Sequence, residues 1–148
     1  MHKNYKRADG WTSKVIASAI EVHRLKGPGL LEPIYEKFLM CELALNNVPA
    51  VQQIQVPIEY KGTFFEETLR LDVLVDDCLL VELKAVENVA PIHKAQLLSY
   101  MKLMDIPIGL LINFNELTMK DGIRRLTLKS ADKNMRSDSH MPFRTFGK

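Results

Sequence analysis

Apolar residues recur at helical spacing from Thr12 onward: Val15, Ile16, Ala19, Ile20 and His23 return every three or four positions. Thr12 or Ser13 can serve as N-cap, and Gly27-Pro28-Gly29 ends the run. A second helix is expected from Glu32 or Pro33, where proline fits the first turn, to about Asn46; it carries Ile34, Phe38, Leu39 and Leu45. Past Asn46-Asn47 the period shortens to two. Val51–Tyr60 alternates around Ile54, Val56 and Ile58, Lys61-Gly62 makes a turn, and Thr63–Glu67, Leu69–Val75 and Leu79–Val86 read as further strands. Pro91 opens a third helix through Met104, with Ile92, Ala95, Leu98, Tyr100 and Met101 among its apolar or aromatic positions. Pro107–Phe114 is a continuous apolar run of the kind a buried strand has, and Ile123–Leu128 is a last strand. From Ser130 large apolar residues are few, and poor order is expected there. The pattern therefore predicts one domain of α/β type over residues 1–129, with a basic tail at 130–148.

A chain of 148 residues can bury a single core without disulfides or metal for support. Its 20 Lys and Arg against 18 Asp and Glu leave a net charge of +2, too little by itself to imply a polyanionic partner. The distribution says more. Residues 1–14 carry Lys3, Lys6, Arg7 and Lys14 against Asp9, and residues 129–148 carry five cations against Asp132 and Asp138; each end is +3, which leaves −4 for 15–128. An acidic body between basic ends fits a carboxylate-rich site served by basic arms, and equally fits solvated ends.

Cys41 and Cys78 lie in apolar surroundings with no CxxC or Cys/His spacing, so both read as small core residues in a reducing compartment, and a zinc site is not expected. No apolar run approaches the ~18 residues of a membrane span, and the first residues hold no signal-peptide core. A cytoplasmic protein with no membrane partner is expected.

The informative segment is LRLDVLVDDCLLVELKAV, residues 69–86. Alternation puts Leu80, Glu82 and Lys84 on one face and Leu79, Val81 and Leu83 on the other, so both faces are largely apolar. A Glu and a Lys there cost several kcal/mol in desolvation unless paired or bound to an ion. Register decides whether Asp72 joins them. A two-residue loop at 76–77 puts Asp72 opposite Val81, whereas a three-residue loop at 76–78 pairs Val75 with Leu79 and sets Asp72 opposite Glu82. Opposed carboxylates repel unless a cation lies between them, and hard oxygen ligands suit Mg²⁺ or Mn²⁺. A cross-strand salt bridge from Lys84 to one carboxylate would also account for the charges.

Two further features accompany this hairpin. Gln96 and Tyr100 stand one turn apart on the following helix, able to contact a water or a phosphate. Gly29-Leu30-Leu31-Glu32-Pro33-Ile34-Tyr35 delivers an acid to a helix start, where it would at least complement the dipole. His23 and His93 read as core or rim histidines and stay outside the set.

In the order Gly29-x-x-Glu32, Asp72, Glu82-x-Lys84, Gln96-x-x-x-Tyr100, the chain resembles the PD-(D/E)XK nuclease superfamily in its RecB-like layout. Gly29-x-x-Glu32-x-x-Tyr35 with residues 81–115 is similar to the small bacterial GxxExxY protein family, and the similarity runs from about Ile16 to Leu128. The resemblance implies a restriction-endonuclease-like αβββαβ core with a mixed central sheet flanked by helices. It implies a Mg²⁺- or Mn²⁺-dependent nuclease acting on DNA; RNA stays open as an alternative substrate, since nothing in the sequence reads a 2′-hydroxyl. Asp72 and Glu82 would be metal ligands, the Leu83 carbonyl a third, and Glu32 an additional one. Lys84 would orient water or stabilise the phosphate, and Gln96 and Tyr100 would shape the site. Leu71 stands where the family has proline, a position that supplies no ligand. A non-catalytic nucleic-acid-binding or protein-interaction module on the same fold is the other class of function. Phosphate contacts would fall to Lys94, Lys102, Arg124, Arg125 or the tails, and a homodimer would let so small a chain hold both strands of a duplex.

Overall fold

The structure is a computed structural model and describes residues 1–129. The basic tail predicted at 130–148 lies outside the described residues. Helices α1 (Tyr5–Lys26) and α2 (Glu32–Leu45) lead into strands β1 (Ala50–Tyr60), β2 (Thr63–Val75) and β3 (Leu79–Lys84). Helix α3 (Pro91–Met104) then crosses over to β4 (Ile108–Asn113), and a short 3-10 turn, Met119–Gly122, precedes β5 (Ile123–Thr127). The strands lie in sequence order in one sheet, antiparallel except for the β3–β4 pair that α3 connects. This is the mixed, helix-flanked sheet that the sequence predicts. Among the described residues no helix is long and apolar enough to cross a membrane.

Each sheet face has its own core. Val15, Ala19 and Val22 of α1 and Tyr35, Leu39 and Leu43 of α2 pack against Val73, Val75, Leu79, Val81 and Leu83. Leu97 and Met101 of α3 pack on the other face against Leu71, Leu80 and Leu111. Gly109 permits this second contact, since a Cβ there would lie 2.6 Å from the Met101 sulfur.

Several sequence expectations are corrected. Helix α1 begins at Tyr5 rather than Thr12, because tertiary contacts hold its first turns: Ala8 is fully buried, Trp11 donates to Asp76 at 2.9 Å, and Asp9 pairs with Arg125 at 2.7 Å. Part of the presumed basic arm is thus packed helix. The two segments at 63–67 and 69–75 form one continuous strand, β2, whose outer half pairs only with β1. Ile20, Leu45 and Ile92, apolar by spacing, are 44, 71 and 68% exposed. Cys41 is exposed; Cys78 alone is buried.

Candidate active site

The site is built where β2 and β3 part. Asp76 and Asp77 both take left-handed backbone, and the Cys78 N–H donates to the Val75 carbonyl, so the loop spans three residues and Val75 pairs with Leu79. Pairing runs through Leu74↔Leu80 and Val73↔Val81 and then stops. The next positions on that register are Asp72 and Glu82, and their side chains take over from the ladder. The Asp72 N–H donates to Glu82 Oε2 at 3.1 Å, and the Leu83 N–H donates to Asp72 Oδ2 at 2.8 Å. The odd loop that the functional reading requires is therefore the one adopted.

A second irregularity lies alongside. Gln52↔Val73 and Ile54↔Leu71 pair in one register, which sets Gln53 abreast of Asp72. Yet Val73 and Leu71, two residues apart, pack into cores on opposite faces, as do Ala50 and Ile54 on β1. Alternation thus slips by one residue on both strands at this point, and Gln53 absorbs the slip with a φ of 53°. A left-handed non-glycine residue beside a half-buried carboxylate is the kind of backbone strain that collects at functional sites. The slip lets Asp72 line a cleft of about 350 Å³ under the start of α2, together with Glu32, Glu36, Lys37, Gln52, Gln53 and Arg70.

Glu82 is 7% exposed. Burial first, and then repulsion from Asp72, push its carboxyl up to about 8, while the hydrogen bond from the Asp72 N–H and the charge of Lys84 oppose the shift. Glu32, half-buried at the first turn of α2, is raised by desolvation and by Asp72, and lowered by Lys84. Lys84 acts on both acids through space. Among the described residues it forms no ion pair with either, so the cross-strand salt bridge that would explain these charges without a ligand is not made.

Glu36 is the residue that the sequence reading missed. It is 6% exposed, and both of its oxygens accept from the Gln53 amide, at 2.7 and 2.8 Å. Desolvation raises its carboxyl, the Gln53 hydrogen bonds lower it, and Asp72 raises it further. One signal was available: Glu32 and Glu36 are like charges at i and i+4 on one helix face, an unfavourable pair that calls for a partner.

Gln96 and Tyr100 are placed differently. They hydrogen-bond to each other at 2.9 Å on α3, and neither bonds to Glu32, Asp72, Glu82 or Lys84. His23 is buried with Nε2 against the Glu116 carbonyl, and His93 caps α3 by accepting from the Ala90 N–H, so both are structural. Arg125 is tied to Asp9 and Tyr5, and Arg124 to the Asp121 carbonyl.

Among the described residues no three His, Cys, Asp or Glu side chains already stand around one point where an ion could sit. The donor chemistry nevertheless fits a hard divalent cation: the ligands on offer are carboxylate oxygens, and the repulsion that raises Glu82 is what a bound cation would relieve.

The model of the PD-(D/E)XK nuclease superfamily matches residues 9–126 of this chain. Comparison with curated proteins and with solved structures found no match.

Proposed function

The chain belongs to the PD-(D/E)XK nuclease superfamily, and from that premise we propose that it is a Mg²⁺- or Mn²⁺-dependent nuclease that hydrolyses phosphodiester bonds in DNA. One observation carries the reading: Asp72 and Glu82 face each other where the β2–β3 ladder ends, with Lys84 on the Glu82 strand acting on Glu82 and on Glu32. Asp72 and Glu82 hold the ion, and Glu32 closes the ligand set from the start of α2. Bound there, a divalent cation supplies Lewis acidity toward a phosphoryl oxygen and makes water acidic enough to attack at neutral pH. Lys84 orients the attacking water and offsets the charge that builds on the phosphorus oxygens. Gln96 and Tyr100 contact the substrate beside the scissile group.

The cleft also offers two cations, Lys37 and Arg70, both exposed at its wall beside Asp72. They replace Arg124 and Arg125, whose guanidinium groups are already engaged, as contacts to the phosphate backbone. Arg70→Ala is expected to raise KM for DNA several-fold, to leave kcat nearly unchanged, and to reduce the slope of log K against log salt by roughly one. Binding measured by fluorescence anisotropy across a salt series checks this.

Cleavage of single-stranded, double-stranded and branched DNA, with RNA beside them, tests the main reading. Activity is expected with Mg²⁺ or Mn²⁺ and is lost in Asp72→Ala, Glu82→Ala and Lys84→Ala; activity that survives all three sinks it. A binding module without catalysis on the same fold is the second reading. Calorimetry separates the two, because such a module takes up no divalent ion at millimolar concentration.

A further inference from the structure

The hydroxyl of Tyr35 has a place that the proposed chemistry does not use. Tyr35 is fully buried on α2, one turn after Glu32. Its hydroxyl donates to the Gly27 carbonyl at 2.5 Å and accepts from the Leu30 N–H at 3.1 Å, so one oxygen closes both sides of the loop that joins α1 to α2. Gly29, at the middle of that loop, has a φ of 106°, a conformation that glycine takes freely and other residues do not. The loop delivers Leu31 as the extended residue before the helix, and Glu32 follows as its first residue. Side-chain direction at Glu32 is thus fixed by how the loop closes.

The ring of Tyr35 reaches the other side of the site. It stacks on Phe114 with centroids 4.6 Å apart and planes 9° from parallel. Phe114 in turn donates its backbone N–H to the Lys84 carbonyl at 2.9 Å, and the neighbouring Asn113 side chain grips Val86 through both its N–H and its carbonyl. One aromatic pair therefore joins the loop that aims Glu32 to the strand end that presents Lys84.

We infer that Tyr35 is a positioning residue, whose buried hydroxyl and stacked ring set Glu32 against Asp72 and Lys84 so that Glu32 can complete a cation site. This rests on the metal-site assignment made above. It assigns Tyr35 no contact with substrate. Removing a group that hydrogen-bonds directly to a metal's ligand typically changes metal affinity by about 10–100-fold; Tyr35 acts one segment further out, so the low end of that range is expected.

The experiment is Mn²⁺ calorimetry on the full chain, with amide hydrogen exchange as the companion readout. Tyr35→Phe keeps the stack and removes the hydroxyl; Gly29→Ala strains the same loop without touching the core, since nothing lies within 4 Å of a Cβ there. Both are expected to weaken Mn²⁺ binding by about tenfold, and Tyr35→Phe to speed exchange at the Leu30 amide. His2→Ala, which removes the imidazole contact to Asp105 at the end of α3, should bind Mn²⁺ as the unmodified protein does. Unaltered Mn²⁺ affinity in the loop variants, or an equal loss in His2→Ala, overturns the inference and leaves the metal site standing. If the unmodified protein takes up no Mn²⁺, both fall. Should Tyr35→Phe fail to fold, Gly29→Ala decides alone.

Discussion

Glu82→Gln is expected to stabilise the metal-free protein at alkaline pH and at the same time to abolish cleavage. The Glu82 carboxyl is shifted from its usual 4.5 up to about 8 by burial and by Asp72. Between those two values the folded state keeps a proton that the unfolded chain has released, so stability falls as pH rises through the window and levels off above about 8. At roughly 1.4 kcal/mol per pH unit the ceiling on this loss is about 4–5 kcal/mol, and relaxation of the gap will reduce it. Glutamine keeps the volume and cannot ionise, so its profile should decline less than that of the wild type across this window, with the raised Glu32 and Glu36 carboxyls contributing to both. Urea unfolding at pH 5.5, 7 and 9 in the presence of a chelator checks the sign. Added Mg²⁺ should restore the wild type at pH 9 and leave the variant unmoved, while the loss of a ligand costs about a thousandfold or more in cleavage. Parallel profiles for the two proteins would show that Glu82 carries no buried charge worth relieving.

Lys84→Met is expected to separate binding of the ion from chemistry. Methionine retains the aliphatic reach of the side chain and removes the charge. Lys84 lowers the carboxyls of both Glu32 and Glu82, so without it the acids hold protons more tightly, yet the ion no longer competes with an ammonium group. Divalent affinity should therefore change little near pH 8, while kcat falls by about 10²–10³, as for the removal of one charge-stabilising donor. Single-turnover cleavage at saturating metal and substrate reads this directly. A fall in metal affinity with kcat intact would make Lys84 part of the ion's surroundings and not of the transition state.

Much of this site was legible in the residues because parity constrains a strand severely. Once Glu82 and Lys84 stand in an apolar segment, only an odd loop places Asp72 abreast of Glu82, and the register has that loop. Helix α3 and the apolar strand β4 follow from proline and composition in the same way. Glu36 was only faintly legible: its like charge one turn after Glu32 asks for a partner, but that partner, Gln53, becomes visible only when β1 turns left-handed. The slip in alternation at Gln53 and Asp72 leaves no mark in the hydrophobic pattern, since Leu71 and Val73 are apolar whichever face they take. The start of α1 was missed for a different reason. Its first two turns have weak apolar periodicity, and they are held by Arg7, Asp9 and Trp11 reaching residues 65 or more positions away.

The central claim is that Asp72 and Glu82 take one divalent cation between them. Crystals soaked in Mn²⁺ and measured at its absorption edge test that claim most directly. The account predicts one anomalous peak bonded to carboxylate oxygens of both Asp72 and Glu82, with Glu32 facing it and the two side chains turned from the Leu83 and Asp72 amides. An intact Asp72–Leu83 and Glu82–Asp72 hydrogen-bond pair with no peak between them would contradict it.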